Sequence, residues 1–300
     1  MAVYLWLSKL SIHNANAMSS PCTVGFPAMT AWLGGVHALE RRLQTAGFPK
    51  TKFAGTAVFS HAFDVRLYKG PKDFRYSVIG TANPLKKSNK TGEYERPPFI
   101  EEARCHLVVS LLVKAQGIDG RQEDEAKEKI MSLLWRMKFA GGDIENIGKV
   151  DFAHIDEASD SDERRLLRRL MPSYALVERR DLMTEGDAPE GDALDRLMDM
   201  LAVEYELPAE ESTPTWQGHR RTDGWIVPIA VGFKNISGAL PAAHQRDPGC
   251  EHHFAEPVVT LGEFRMPIHF HALDELLWEY HTDLEQGLYV CRNQGKQEHQ

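Results

Sequence analysis

The chain has 300 residues, of which 42% are apolar and 26% charged, and its formal net charge at pH 7 is −8. A chain of this length buries roughly three quarters of the surface that its unfolded form exposes, and it allows one large domain or two ordinary ones. No apolar run reaches the ~18 residues of a membrane span, and the net negative charge argues against a protein that coats nucleic acid without selectivity.

The four cysteines are far apart, and none belongs to a C-x-x-C pair. This spacing is typical of a reducing compartment and argues against a structural zinc ribbon. The first seven residues lack the basic start of a signal peptide and predict a strand instead. We therefore expect a cytoplasmic protein without a membrane segment.

The first half of the chain alternates between strand and helix patterns. Its predicted elements are a strand at 3–12, a helix from Pro27 to about residue 46, strands at 53–67 and 103–113, a helix at 122–134 and a short strand at 135–139. This order of strand, helix, strand, strand, helix and strand is that of a ferredoxin-like fold. Between the two middle strands, residues 68–98 are rich in Lys, Gly and Pro and predict a long polar insertion.

The second half of the chain is less regular. Its predicted elements are a helix at 160–171, a strand at 174–179, a helix at 193–201 within an acidic segment, a strand at 224–233 and a final helix at 273–280. We expect an α+β protein in which residues 1–150 form the core. Residues 151–300 would form an accessory region whose C-terminal strands and helix pack back on that core.

Charge is unevenly distributed along the chain. Residues 41–104 carry 13 Lys or Arg against 6 Asp or Glu, whereas residues 145–215 carry 8 against 19. Six of those eight basic residues are arginines between positions 164 and 180. Basic islands in an acidic background indicate either a defined site for a polyanion or a set of solvated faces.

Short polar side chains crowd the end of the first predicted strand, where Asn14, Asn16, Ser19 and Ser20 precede the first helix. Asn and Ser can contact a base edge or a phosphate without carrying charge, and the N-terminus of a helix attracts anions. The same residue types also organise turns and caps. The pattern alone leaves both interpretations open.

A second polar site follows the second predicted helix. Arg136 and Lys138 would lie on one strand face, beside a turn that contains Gly141 and Gly142. A phosphate can approach a backbone that lacks Cβ atoms closely. Ordinary hairpin turns also use glycine, so a structural role stays open.

The helix predicted at 160–171 carries leucines on one stripe and Arg164, Arg165, Arg168 and Arg169 on the opposite stripe. Four arginines within about two turns repel one another unless a polyanion or an acidic partner lies beside them. A solvated face is the alternative.

No residues predict an active site convincingly. The sequence contains no catalytic serine motif, phosphate-binding loop, H-E-x-x-H or dinucleotide fingerprint. His269 and His271 could bind a metal, but further ligands at a recognised spacing are missing. We expect no enzyme activity, metal or cofactor.

Several ordered stretches together resemble one family, and they span nearly the whole chain. They are residues 10–17 with 19–21, 25–27, 35–39, 101–104, 136–142, 164–177, 224–229 and 287–289. They are similar to the RAMP-superfamily subunit of the type I-F CRISPR surveillance complex, the family of the second Csy protein. This resemblance implies a ferredoxin-like, RRM-like RAMP core with an inserted thumb hairpin and an irregular accessory region.

The resemblance implies a non-catalytic subunit of an antiviral ribonucleoprotein that binds the 5′ handle of CRISPR RNA. The implied partners are CRISPR RNA, the large subunit of the Csy complex, an adjacent backbone subunit and target double-stranded DNA near the PAM. The implied RNA-binding residues are Asn14, Asn16, Ser19, Ser20, Arg136, Lys138, Gly141, Gly142, Arg165, Arg168 and Arg169. The thumb would lie near the first guide–target base pairs, with the basic residues Lys69, Lys72, Arg75, Lys86, Lys87 and Lys90.

Two other functions stay open at this point. Some RAMP relatives cleave CRISPR RNA with a histidine as general base, for which His13 and His37 are the candidates here. His37 lies one turn from Leu33 on an apolar helix, which favours a packed side chain. The other alternative is a metal hydrolase that uses His269 and His271.

Overall fold

The computed structural model describes residues 1–79, 85–95, 102–156, 159–184, 191–207, 216–245, 247 and 249–293. Its strands are β1 (Ala2–Asn16), β2 (Met18–Ser20), β3 (Thr23–Val24), β4 (Lys52–Val65), β5 (Leu67–Tyr68), β6 (Ser77–Val78), β7 (Lys86–Lys87), β8 (Tyr94–Glu95), β9 (Arg104–Gln116), β10 (Lys138–Phe139), β11 (Gly142–Ile155), β12 (Tyr174–Glu178), β13 (Glu204–Glu206), β14 (Gln217–His219), β15 (Trp225–Asn235), β16 (Ala255–Arg265), β17 (Trp278–Asp283) and β18 (Leu288–Asn293).

The α-helices are α1 (Met29–Thr45), α2 (Glu123–Leu134), α3 (Asp160–Arg169), α4 (Asp181–Thr184) and α5 (Ala193–Leu201), and short 3₁₀ segments lie at Gly120–Gln122, Pro267–His269 and Leu273–Leu276. In the part of the chain that the structure describes, none of these helices is both long and apolar enough to span a membrane.

Four long strands form the central part of a large antiparallel sheet in the order β11–β1–β9–β4. Helix α1 connects β1 to β4, helix α2 connects β9 to β11, and both helices pack on the same face. Along β1, Leu5 and Leu7 point under these helices, whereas Tyr4 and Trp6 point to the opposite face. The first five predicted elements of this half are therefore confirmed in order, but the strand that completes the core is β11, which the sequence pattern did not predict.

Helix α1 is amphipathic, as its sequence pattern predicts. Its buried residues are Met29, Trp32, Leu33, Val36, Leu39 and Leu43. Gly47 follows the helix with a φ of +114°, a conformation that favours glycine and ends the helix. The expectation that His37 is packed is wrong, because the buried stripe passes through Val36 and leaves His37 exposed.

The opposite face of the sheet is only partly covered. Helix α3 packs Leu166, Leu167 and Leu170 against this face, in one apolar cluster with Tyr4 and Phe59. The 3₁₀ segment at Leu273–Leu276 belongs to the same cluster. Farther along β1 and β9, no helix of the described residues covers this face, which carries an open groove lined partly by Ser11, His13 and His106. We call this uncovered region the open face.

The C-terminal strands close back on β4. The sheet continues from β4 through β12, β16, β15 and β18 to β17, and β17 returns to β4. The outer edge of β4 therefore pairs with Tyr174 and Ala175 at one end and with Trp278 at the other. Trp278 is buried, and its Nε1 donates to the Leu176 carbonyl at 2.8 Å. Six strands thus form a closed circuit of hydrogen-bonded neighbours.

Two local predictions are wrong. Residues 273–280 do not form one helix, since Trp278 starts strand β17 in register with Asn293 of β18. At residues 135–139 the chain continues to turn after α2, and the Arg136 N–H donates to the Leu133 carbonyl at 2.9 Å. Only Lys138 and Phe139 are extended, so Arg136 and Lys138 do not share a strand face.

The described parts of the Lys-rich insertion between β4 and β9 are exposed and rich in polar residues, in agreement with the predicted polar insertion. Its described parts form two small antiparallel pairs, β5 with β6 and β7 with β8. The exposed basic residues are Lys69, Lys72, Arg75, Lys86, Lys87 and Lys90. The rest of the insertion, residues 80–84 and 96–101, lies outside the described residues. Residue 150, the expected end of the core, falls inside β11, which continues to Ile155.

Candidate nucleic-acid interface

The end of β1 meets the turn that joins β10 to β11. Ala140 and Gly141 form this two-residue turn with φ angles of +48° and +77°. The Ala140 carbonyl accepts the backbone N–H of Asn16 at 2.8 Å. Asn14 also has a positive φ, +62°, which Asn adopts more readily than most residues. The structure therefore brings Asn14, Asn16 and the glycine turn together.

Position 142 requires glycine because of the atoms that surround it, not because of its own φ angle. A Cβ atom at this position would lie 2.6 Å from the Cγ2 atom of Ile12 and 2.8 Å from the carbonyl oxygen of His13. Gly141 is exposed, and the nearest atom to a Cβ there would be a guanidinium nitrogen of Arg104 at 3.9 Å. Gly142 thus sets the distance between β11 and the end of β1, while Gly141 keeps the backbone of the turn open to solvent.

Two arginines that the sequence analysis did not single out hold Asn14 in place. Arg66 Nη1 donates to Asn14 Oδ1 at 3.2 Å, and Arg104 Nη1 donates to the Asn14 carbonyl at 3.5 Å. Arg104 also forms an ion pair with Glu102. Within the described ranges, the buried Nε of Arg104 has no hydrogen-bond acceptor. The end of β1 is therefore more basic than the sequence around Asn14 indicates.

The remaining polar residues after β1 mainly organise the chain. The Asn16 side-chain amide exchanges two hydrogen bonds of 3.1 Å with the backbone of Met18. Ser19 Oγ donates to the Phe26 carbonyl at 3.4 Å. Ser20 is buried, and its hydroxyl lies 2.6 Å from that of Thr23. These contacts place Ser20 inside the turn, whereas Asn14, Asn16 and Ser19 keep partial exposure.

Arg136 and Lys138 have different surroundings. Lys138 Nζ lies 2.5 Å from an Asp143 carboxylate oxygen, so its charge is already paired. The Arg136 side chain is exposed at the end of α2, and its backbone carbonyl accepts a hydrogen bond from Arg42 at 3.0 Å. Of the two, only Arg136 offers an exposed cation whose charge no ion pair in the described structure engages.

Helix α3 presents its arginines on the side away from its leucines, as predicted. Arg164, Arg165, Arg168 and Arg169 are all exposed. Among the side chains that the structure describes, none of the four forms an ion pair. The guanidinium of Arg169 lies 5.0 Å from the ring centroid of Trp6, whose ring belongs to the face of β1 opposite α1. This contact connects the basic helix to the sheet.

Stacked histidines lie on the open face of the sheet. The rings of His13 and His106 are 4.4 Å apart at an angle of 24°. His13 Nδ1 lies 3.8 Å from a Glu145 carboxylate oxygen, and His106 Nδ1 faces the Asn14 N–H at 3.3 Å. His37 belongs to α1 on the other face of the sheet, so the structure does not bring His13 and His37 together.

His269 and His271 are both exposed beside the 3₁₀ segment at Pro267–His269. Across the described ranges, no three His, Cys, Asp or Glu side chains come together in a group that could hold a metal ion. The donor set that a metal hydrolase needs is thus not assembled around these two histidines.

Fold and surface together define a mixed α/β protein with a large antiparallel sheet, one open sheet face and an adjoining helix rich in exposed arginine. The family model described as CRISPR-associated protein (Cas_Csy2) matches residues 5–291. A relative, the CRISPR-associated protein Csy2 of Pseudomonas aeruginosa (strain UCBPP-PA14), is 35% identical over 314 aligned residues, covering 95% of this chain and 93% of the relative. The chain belongs to the Csy2 family of CRISPR-associated proteins.

Proposed function

We propose that the chain is a non-catalytic subunit of a type I-F CRISPR surveillance complex and binds the 5′ handle of CRISPR RNA. In this proposal it pairs with the large subunit, contacts an adjacent backbone subunit and helps to position target DNA near the PAM. The observation that carries the proposal is the family match over almost the whole chain. The four free cysteines fit an assembly that works in the reducing cytoplasm.

We interpret the first half as a ferredoxin-like RAMP core. The strand order β11–β1–β9–β4 and the two helices on one face support this interpretation. If β11 is kept whole, this core ends at Ile155 rather than at residue 150. The second half is then the accessory region, and its strands β12 and β17 attach to the outer edge of β4.

RNA would follow the side of the core that carries the open face. At one end lie Asn14, Asn16 and Gly141, and at the other end lie the exposed arginines of α3. Arg136 lies at the end of α2, the helix that packs on the other face. Arginines suit phosphates, whereas neutral amides and free backbone groups suit the edges of unpaired bases. Arg165 and Arg168 suit phosphate binding better than Arg169, because Arg169 already lies over Trp6.

The Lys-rich insertion would act as the thumb near target DNA. The six basic residues in its described parts are exposed, and it leaves the core between the ends of β4 and β9, close to Arg66 and Arg104. Point charges on flexible lysines suit sequence-independent contact with a DNA backbone, while base pairing to the guide reads the target sequence.

The endonuclease alternative receives little support from the geometry. Among the described residues, the ionisable groups beside His13 on the open face are His106, Glu145 and Asp64, and the two carboxylates repel the phosphate that a histidine base has to reach. His37 lies on α1, on the other face of the sheet, and cannot act together with His13.

The test is binding of labelled 5′-handle RNA to the chain alone and together with its large-subunit partner, across a salt series. We expect binding that is tighter with the partner present and discriminates against a scrambled handle. Weak binding that is steeply salt-dependent and blind to sequence would contradict the proposal, because it indicates charge without a defined site. Incubation with repeat RNA checks the alternative, which predicts a discrete product that disappears in His13→Ala.

A further inference from the structure

The open face contains a groove of about 390 Å³ between the two clusters of proposed RNA-binding residues. Its polar lining comes from four strands: Ser11 and His13 of β1, Asp64 of β4, His106 of β9 and Glu145 of β11. Its apolar walls include Ala62 and Val108. A cavity of this size suits a small planar group.

The charge of the groove excludes phosphate and favours a base. Asp64 and Glu145 are carboxylates and repel a phosphate that enters the groove. Cations lie next to it instead, since Arg104 is two residues from His106 on the same face of β9, and Arg66 is two residues from Asp64. An RNA backbone held by these arginines would direct its base, rather than its phosphate, into the groove.

The stacked histidines supply a flat surface. His106 accepts the Asn14 N–H at Nδ1, so its neutral form carries the proton on Nε2 and its ring is fixed in orientation. The His13 side chain packs on that ring and remains 48% exposed. An incoming base can therefore extend the stack on the outer side of His13.

We propose that this groove holds one unpaired base of the bound RNA, stacked on the His13–His106 pair with an amino-bearing edge toward Glu145 or Asp64. Carboxylates accept hydrogen bonds but do not donate them, so cytosine, adenine and guanine suit the groove better than uracil. The inference rests on the proposed RNA-binding function and adds the particular residues that receive a base.

The experiment uses the full chain in complex with the large subunit and a set of handle RNAs, each lacking the base at one position. Stacking on an aromatic ring contributes about 1–3 kcal/mol per base, so removing the held base should weaken binding by roughly 5- to 150-fold. In His13→Ala the intact handle should bind more weakly, and the penalty for removing that one base should disappear. His37→Ala, an exposed histidine on the other face, is the matched control and should keep the penalty.

Glu145→Gln tests whether the Glu145 carboxylate accepts a hydrogen bond from the edge of the base, without changing the shape of the side chain. We expect it to reduce the preference for an amino-bearing base over uracil at the same position.

The inference would be overturned if His13→Ala weakened the binding of every RNA in the set by the same factor, or of none of them, while the wild-type chain still bound the handle. Loss of large-subunit binding in the absence of RNA would also overturn it, because the groove would then be a protein contact. If the wild-type chain does not distinguish the handle from a scrambled RNA, the proposed function itself fails.

Discussion

Arg169 lies over the ring of Trp6, and this contact joins the basic helix to the first strand of the sheet. An exposed cation–π contact contributes about 0.5–1 kcal/mol to stability. Arg169 therefore has a structural role that its exposed neighbours Arg165 and Arg168 lack, and mutations in α3 must separate stability from RNA binding.

We expect Arg168→Glu with Arg169→Glu to weaken handle binding, and Arg165→Glu with Arg168→Glu to do so without disturbing Trp6. Each lost phosphate contact should make the slope of log K against log salt shallower by about 0.7. Arg121→Glu with Lys129→Glu changes the charge equally at exposed positions beside and on α2 and should leave binding to the handle largely intact. If the Arg121→Glu/Lys129→Glu variant lost as much binding as the two α3 double variants, net charge alone would govern binding.

Gly142→Ala should destabilise the protein by about 1–3 kcal/mol, because its Cβ would overlap with Ile12 and His13. Gly141→Ala should cost only about 1–2 kcal/mol, since there the strain comes from the positive φ alone. Gly120→Ala, where a Cβ meets nothing within 4 Å, is the control. Thermal unfolding of the three variants measures the order of their stabilities. A Gly142→Ala variant as stable as Gly120→Ala would contradict the close packing of β11 on β1.

His61 should make the protein less stable as the pH falls. Burial lowers the pKa of His61 below its ordinary 6.5, the nearby charge of Lys9 lowers it further, and the hydrogen bond to the Pro172 carbonyl opposes them. Below about pH 6.5 the unfolded chain then binds more protons than the folded one, so the free energy of unfolding decreases. Denaturant unfolding between pH 8 and 5 should show this loss in the wild type, and His61→Gln should reduce it.

Deleting residues 69–90 should leave handle binding unchanged and impair the capture of target DNA by the assembled complex. The insertion leaves the core after β4, and the Arg66 N–H bonded to the Arg104 carbonyl can still close the base of the loop. Changing the six basic residues of 69–90 to Gln is the matched variant that keeps the length. A large loss of RNA binding in either variant would show that the insertion contacts RNA rather than target DNA.

Two of the four thiols should react quickly with a thiol reagent in the folded protein. Cys22 and Cys250 are exposed, whereas Cys105 and Cys291 are buried, and burial raises the pKa of each of the latter to about 12. Because the thiolate is the reactive form, Cys105 and Cys291 should react only after denaturation. Fast reaction of a third thiol in native buffer would contradict the packing of β9 or β18.

Local sequence patterns predict the structural features that depend on a single segment of the chain. The buried stripe of α1 and the arginine stripe of α3 depend only on helical spacing, and both are confirmed. The neighbours of Asn14 could not be predicted, because Arg66 and His106 reach it through strand register across 52 and 92 residues. The helix predicted at residues 273–280 is wrong for a related reason. A short run of this kind fits a helix or a buried strand equally well until its pairing partners are known.

The closed circuit of strands has a consequence during synthesis. Thr56 emerges from the ribosome long before Trp278, so the outer edge of β4 has no strand beside it while most of the chain is still being made. Exposed strand edges can pair with other chains, so the nascent N-terminal half presents an unpaired edge until the C-terminal strands are made. A fragment that stops after β11 would keep this unprotected edge permanently, and it should aggregate where the full chain stays dispersed.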